Sequence, residues 1–124
     1  MSERNKDVVR RLVAEVLNAG RMDVVDDLYS PALATAAKRW IAPFRSSFPD
    51  VHMEVVDLIA EDDKVVGRFK CSRTHLGAWR GYTPTGRRFK AIDEVYIFRL
   101  SEGRIVHAWG LEDTLRRLEQ LGLR

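Results

Sequence analysis

Three side chains suited to proton transfer lie close together in the C-terminal part of the chain. Glu94 and Tyr96 are in the segment AIDEVYIFRL, and Glu112 follows in IVHAWGLED. A carboxyl group enclosed by apolar side chains has a raised pKa and can move a proton near neutral pH, and a phenol can donate a hydrogen bond to an oxygen that becomes negative. Two neighbouring carboxyls titrate at different pH values, which provides one acid and one base. These residues are therefore the catalytic candidates: Glu94, Tyr96 and Glu112.

Both glutamates also have an ordinary structural role open to them. Glu112 can be a solvated residue before the last helix, where its charge complements the helix dipole. Glu94 can pair with a nearby arginine. The sequence leaves both readings open.

The segments that carry these residues have the alternating pattern of β-strands. Beyond Val51, apolar and polar residues alternate, and acidic or glycine-containing turns separate the runs. The predicted strands are Val51–Ala60, Lys64–Arg73, Arg88–Leu100 and Arg104–Leu111. Because the connections are mainly short, we expect an antiparallel sheet.

The turn between the last two strands decides which side chains face each other. If Ser101-Glu102-Gly103 is a three-residue loop, Leu100 pairs with Arg104 and Glu94 lies opposite Gly110. One face then carries Ile92, Glu94, Tyr96, Phe98, Val106, Ala108, Gly110 and Glu112. A two-residue turn would change the register and shuffle these faces.

The N-terminal third of the chain has helical periodicity. Apolar residues recur at helical spacing over Asn5–Leu17, a short helix is predicted over Asp23–Tyr29, and Ser30-Pro31 begins a third helix that extends to about Ser47. A last helix is predicted over Thr114–Leu121. Helices first and strands afterwards indicate the α+β class, with the helices covering one face of the sheet.

Composition restricts the function. The 124 residues, 45% hydrophobic, predict a single domain over 1–124. A net charge of +3 with interspersed signs argues against a nucleic-acid partner, and no apolar run approaches the roughly 20 residues that span a bilayer. With no signal-like start and one cysteine, Cys71, we expect a cytoplasmic protein. The three histidines lack metal-ligand spacing, so no metal site is predicted.

Five segments together resemble the SnoaL-like polyketide cyclases, also called ester cyclases. In order they read NKDVVRRLVAEVLNAGRMDVVDDLYSP, SFPDVHMEVVDLIAEDDKVVGRF, THLGAWRGYTPTGRRF, FRLSEGRIVHAWGLED and LEQLG. The resemblance implies a cone-shaped nuclear-transport-factor-2-like fold, with helices on a strongly curved sheet, and often a homodimer through the outer sheet face. It also implies enzymes that act on polyketide or isoprenoid intermediates without metal or organic cofactor.

Two departures from the family pattern stand out. Members usually have a short strand with a pocket-facing polar residue between the second and third helices, whereas Tyr29-Ser30-Pro31 runs almost directly into the helix that contains Trp40. Many members read Trp-Asp-x-x-Asp in the closing motif, and the first acid is the general acid/base of the characterised cyclases. Gly110 occupies that position here, and Tyr96 occupies that of a frequent pocket histidine. The aldol cyclase mechanism therefore does not carry over unchanged.

Aromatic and small residues complete the predicted pocket for a small hydrophobic metabolite. The expected substrate-binding residues are Trp40, Phe44, His75, Trp79, Phe98 and Gly110. His75 lies in THLGAWRG, which in the family crosses near the cavity mouth, and Gly110 adds little bulk and leaves room for a larger ligand. For Trp40 and Phe44, core packing at helical spacing is the alternative.

Three functions are compatible with these features. The leading one is cofactor-independent cyclisation, isomerisation or dehydration by proton transfer. The others are water addition to an epoxide, against which the loss of the acid at Gly110 counts, and non-catalytic binding of a small molecule by a degenerate family member.

Overall fold

The computed structural model describes residues 2–124, and its elements follow the predicted order. The helices are α1 (Ser2–Arg11, continued by a π-helical segment, Leu12–Asn18), α2 (Val25–Leu28, preceded by a 3-10 turn, Met22–Val24), α3 (Pro31–Ser47) and α4 (Thr114–Gln120). The strands are β1 (His52–Glu61), β2 (Lys64–Thr74), β3 (Arg88–Ser101) and β4 (Arg104–Glu112). The first helix begins earlier than predicted, at Ser2 rather than Asn5, and the last ends at Gln120 rather than Leu121.

The strands form one antiparallel sheet in the order β1-β2-β3-β4. Each pair contains a register shift: at Val55/Asp57, at Cys71/Arg73 and at Arg99/Leu100. Such bulges bend a strand and increase its twist, so the sheet is curved. Helix α1 and its π-helical continuation contact β1 and β2 and bury an apolar face between the layers. The α+β class and the antiparallel sheet are thus confirmed.

The connection between α2 and α3 is as short as the sequence indicated. Within residues 2–124 the sheet has four strands, and none precedes α3. Tyr29 makes only an isolated parallel bridge to Ile105, and the Ser30 amide donates to the Ile105 carbonyl at 2.9 Å. The additional strand that family members usually have between these helices is thus replaced by this single contact with β4.

The crossing from β2 to β3 is fastened to the end of α3. The amides of Leu76 and Gly77 donate to the Ser47 carbonyl at 3.1 and 3.0 Å, and the Ser47 hydroxyl donates to the Ala78 carbonyl at 2.6 Å. A Cβ atom at Gly77 would collide with the Ser46 carbonyl, so only glycine permits this approach. The next residue but one, Trp79, is thereby held against α3.

The register of β3 and β4 differs from the prediction, although Glu94, Tyr96, Gly110 and Glu112 still share one face. Val106 was predicted on that face too, but it is the extra residue of a bulge, and Ile105 is the buried residue there. Ser101 pairs with Arg104, so the turn has two residues instead of three, with Glu102 and Gly103 at φ 51° and 79°. Both angles suit a type I′ hairpin turn. A bulge beside Leu100 then adds one residue on β4, which cancels the change of face. As a result Glu94 lies opposite Glu112, and Gly110 lies opposite Tyr96 rather than opposite Glu94.

No helix in the described range, 2–124, has the length and apolarity needed to cross a membrane.

Candidate active site

Four side chains form a closed ring of hydrogen bonds on the inner face of the sheet. The Tyr96 hydroxyl lies 3.0 Å from Glu94 Oε1 and 3.3 Å from Glu112 Oε2. The guanidinium of Arg117 donates to the remaining oxygens, from Nη2 to Glu94 Oε2 at 2.7 Å and from Nη1 to Glu112 Oε1 at 2.6 Å. The pairing of Glu94 with Glu112 across β3 and β4 brings the two carboxyls together, and Tyr96, two positions along β3, shares their face.

Arg117 is the member that sequence reasoning missed. It is one of two adjacent arginines on α4, and its side chain is fully buried. The guanidinium lies 4.7 Å from the Phe89 ring centroid and 5.4 Å from that of Phe44, distances at which a cation is attracted to an aromatic face. The signal available in the sequence was the spacing to Leu121, four residues later and also buried.

The start of α4 fixes the direction of that arginine. Asp113 caps the helix by accepting from the Arg116 amide at 3.1 Å, and its own amide donates to the Asp93 carbonyl on β3 at 3.0 Å. Because the helix starts directly at the end of β4, its first turn passes beside the carboxyls of Glu94 and Glu112.

The ring carries an excess of negative charge. With both carboxyls ionised, two negative charges face the single positive charge of Arg117. Burial raises the pKa of Glu94, the charge of Glu112 raises it further, and Arg117 and Tyr96 oppose the rise only in part. Burial, followed by the two carboxylates, likewise raises the pKa of Tyr96. For Arg117 burial lowers the pKa, but the carboxylates outweigh it and the pKa is raised. We therefore place the shared proton on Glu94 and keep Arg117 charged.

An apolar cavity lies between the helices and this ring. It has two compartments, of about 210 Å³ and about 240 Å³. Both are bordered by Leu17, Trp40, Met53, Tyr96 and Glu112. The first is completed by Leu12, Val13, Phe69, Phe98, Ala108 and Gly110, and the second by Phe44, Val51, Trp79, Arg80 and Glu94. Compartments of this size hold small organic molecules, whose pockets are typically about 300–1,000 Å³ in total.

Gly110 is required by the position of Tyr96. A Cβ atom at Gly110 would overlap the Tyr96 ring, because the ring lies across the glycine on the neighbouring strand. The expectation that Gly110 leaves room for a larger ligand is therefore corrected: the tyrosine ring takes much of that room. Gly110 still lines the first compartment.

Five of the six predicted substrate-binding residues line the cavity. These are Trp40, Phe44, Trp79, Phe98 and Gly110. The rings of Trp40 and Tyr96 are nearly parallel, with centroids 6.4 Å apart and 12° between their planes. The catalytic candidates Tyr96 and Glu112 line both compartments, whereas Glu94 lines the second only.

His75 does not reach the cavity. It is fully buried where the crossing folds back on itself, and its Nδ1 accepts from the Thr85 amide at 3.2 Å. Its ring packs against Phe48 and Trp79, at 5.6 and 6.3 Å between centroids. The sequence does not reveal this, because the hydrogen bonds that enclose His75 join it to residues about ten positions further along the chain, and no local pattern indicates such contacts. No group of three or more His, Cys, Asp or Glu in residues 2–124 is placed to hold a metal ion.

Comparison with known proteins agrees with this architecture. The sequence profile of the SnoaL-like polyketide cyclases matches residues 7–121. The chain belongs to this family. Aklanonic acid methyl ester cyclase DnrD of Streptomyces peucetius is 27% identical over 116 residues, which are 94% of this chain and 78% of the relative.

Solved structures of similar proteins share the fold. TsrD from Streptomyces laurentii superimposes with a TM-score of 0.89 at 24% identity, covering 100% of this chain and 98% of that one. A SnoaL-like polyketide cyclase from Agrobacterium tumefaciens has a TM-score of 0.80 at 17% identity, covering 95% and 98%. At these identities the similarity establishes the curved sheet and its helices. The chemistry has to be argued from the side chains of this member of the family.

Proposed function

We propose that the protein is a cofactor-independent acid/base enzyme that cyclises or isomerises a hydrophobic, polyketide-like metabolite. The observation that carries the proposal is the ring of Glu94, Tyr96, Glu112 and Arg117 at the wall of an otherwise apolar cavity. Buried carboxyls with an adjacent phenol are suited to removing a proton from carbon and returning one to oxygen.

Glu112 is the better placed base. It lines both compartments, and its side chain is 33% exposed, whereas that of Glu94 is 2% exposed. Arg117 donates to Glu112 Oε1 at 2.6 Å, and Oε2 lies 3.3 Å from the Tyr96 hydroxyl. We assign to Glu112 the removal of a proton from a carbon next to a carbonyl group.

Glu94 is placed to supply the proton on the other side of the reaction. In its protonated form it can donate from Oε1 to the Tyr96 oxygen, 3.0 Å away, which frees the phenol hydrogen for the substrate. The phenol then stabilises the enolate oxygen that forms when Glu112 takes the carbon-bound proton. For a ring closure, the carbanion attacks a second carbonyl, a carbon–carbon bond forms, and the new alkoxide receives a proton. No atom is gained or lost, so substrate and product have equal mass.

The test uses the substrate named for the streptomycete relative, aklanonic acid methyl ester, followed by chromatography and mass spectrometry. We expect a product of unchanged mass, and a loss of about 100-fold or more in rate for Glu112→Gln. The exposed Glu119→Gln on α4 is the matched control and should keep full activity.

Binding without conversion would contradict the proposal. If the ester raises the melting temperature of the wild type but is recovered unaltered after prolonged incubation, the cavity is a binding site only. Equal turnover by wild type and Glu112→Gln would remove Glu112 from the mechanism.

We also propose that two copies associate through the outer face of the sheet. Ile59, Val66, Ile97 and Trp109 pair successively and form one apolar row across all four strands. Ile59 is 64% and Trp109 51% exposed, an arrangement typical of contact surfaces. Sedimentation velocity should show a dimer for the wild type and a monomer for Trp109→Lys; a wild-type monomer at all concentrations would refute it.

A further inference from the structure

We infer that Arg80 gives the cavity a preference for substrates that carry a carboxylate. The inference rests on the proposed function in one respect, that the cavity is the substrate site. It adds which chemical group of the substrate lies at the entrance. The name of the streptomycete relative mentions a methyl ester, which is neutral, and does not answer this question.

Arg80 is a cation in an otherwise apolar and acidic wall. Among residues 2–124 it is the one Lys or Arg side chain that lines either compartment, since Arg117 lies behind the carboxyls that it pairs with. Arg80 is exposed, and it also borders a surface groove formed with Pro43, Phe44 and Ala78. Its guanidinium therefore stands where the second compartment meets solvent.

The backbone at Arg80 is fixed by a tight turn. Trp79 and Tyr82 exchange two backbone hydrogen bonds, of 3.0 and 2.8 Å, around the central pair Arg80-Gly81. Arg80 has φ 51° and Gly81 φ 82°, both in the left-handed region, which is unfavourable for a side chain as large as arginine. The Trp79 ring lies 5.6 Å from the guanidinium carbon, so the side chain is drawn back over the aromatic wall.

The charge of Arg80 is not neutralised within the protein. In the part of the chain that the structure describes, no carboxylate oxygen lies within 4.0 Å of its nitrogens. The two carboxyls that share its compartment, Glu94 and Glu112, are bound by Arg117 instead. Planar guanidinium groups bind carboxylates through two parallel hydrogen bonds, so the free fork fits that ligand group.

The opposed charges also set the direction of binding. Arg80 attracts a substrate carboxylate, whereas the guanidinium of Arg117 is already occupied by Glu94 and Glu112, so the acidic end stays at the entrance. The carbon that loses a proton is then directed towards Glu112. Binding energy at one end of the molecule thus positions the reacting end.

A pair of probes that differ only in charge tests this inference. We would titrate 2-naphthoate and methyl 2-naphthoate against the wild type, Arg80→Gln and Arg88→Gln, and follow the saturable quenching of tryptophan fluorescence, to which Trp40 and Trp79 contribute at the cavity and Trp109 contributes a common background in all three proteins. Arg88 is exposed and lines neither compartment, so it is the matched control. We expect Arg80→Gln to weaken binding of the acid about tenfold, from loss of a charged hydrogen-bonded pair, while the ester is bound equally by all three. Added salt should weaken only the acid.

The outcomes separate this inference from the proposed function. Equal losses for acid and ester in Arg80→Gln, equal losses in Arg80→Gln and Arg88→Gln, or no saturable binding of the acid to the wild type would each overturn it. Discrimination between acid and ester that depends on Arg80 supports it even if Glu112→Gln leaves turnover intact, since the binding assay requires no reaction.

Discussion

Replacing Glu94 by glutamine should make the protein more stable at high pH while it destroys activity. Glutamine has the shape of the protonated acid: its oxygen can accept from Arg117 and its amide can donate to the Tyr96 oxygen, at the present 2.7 and 3.0 Å contacts. The substitution removes one of two negative charges that face a single positive charge. The hydrogen-bond ring is kept, and the charge imbalance disappears.

The sign follows from the raised pKa of Glu94. Burial and the charge of Glu112 raise it in the folded protein, above about 4.3 in the unfolded chain. The stability that comes from protonating Glu94 is fully present below the unfolded pKa and is lost as the pH rises through the folded pKa. Each unit between the two values costs the wild type about 1.4 kcal/mol, a cost that Glu94→Gln avoids. For a chain of this size, 1 kcal/mol corresponds to about 3–6 °C in melting temperature.

Urea denaturation from pH 5 to pH 9 measures this effect. The free energy of unfolding of Glu94→Gln minus that of the wild type should become more positive with pH, whereas Glu119→Gln, an exposed control, should give a flat difference. A difference that stays flat from pH 5 to pH 9, with the variant less stable than the wild type throughout, would mean that Arg117 holds Glu94 ionised over the whole range. In that case the proton would not reside on Glu94, and Glu94 could not donate to Tyr96 as proposed.

Two further substitutions examine the geometry of the ring. Gly110→Ala should displace the Tyr96 ring and destabilise the fold by about 1–3 kcal/mol; the cost should largely vanish in a Tyr96→Ala background, and an additive double mutant in urea melts would contradict the overlap. Arg117→Met leaves buried carboxyls unpaired and should cost about 3–5 kcal/mol at pH 8 and less at pH 5, while the exposed Arg116→Met should change stability by under about 0.5 kcal/mol. Equal effects of the two arginine substitutions would reject the buried role of Arg117.

The elements and the shared face were predictable because they depend on local periodicity. Alternation of polar and apolar residues places Glu94, Tyr96 and Glu112 on one side of the sheet in every register that pairs even-numbered residues of β3 with even-numbered residues of β4. Their mutual distances were not predictable, since a two-residue turn and a bulge near Leu100 act in opposite directions. Neither leaves a clear trace in the sequence.

The surroundings of the ring were harder still to predict. Arg116 and Arg117 are adjacent and chemically identical. Which of them is buried depends on how α4 is rotated about its axis when it packs against the sheet. From the sequence, Gly110 means only an absent side chain, whereas in the fold it admits a ring from the neighbouring strand. Nothing in the sequence distinguishes Arg80 from the other arginines, because its place at the cavity depends on how the crossing docks against Ser47.

Hydrogen exchange at carbon is the most direct test of the claim that this cavity transfers protons. Methyl benzoylacetate, an aryl β-keto ester, would be incubated in D₂O with each protein, and deuterium uptake next to the carbonyl followed by NMR as an initial rate above the spontaneous one. We predict saturable uptake with the wild type and with Glu119→Gln, and a loss of about 100-fold or more with Glu112→Gln. Uptake at the spontaneous rate with the wild type, or unchanged uptake with Glu112→Gln, would contradict it.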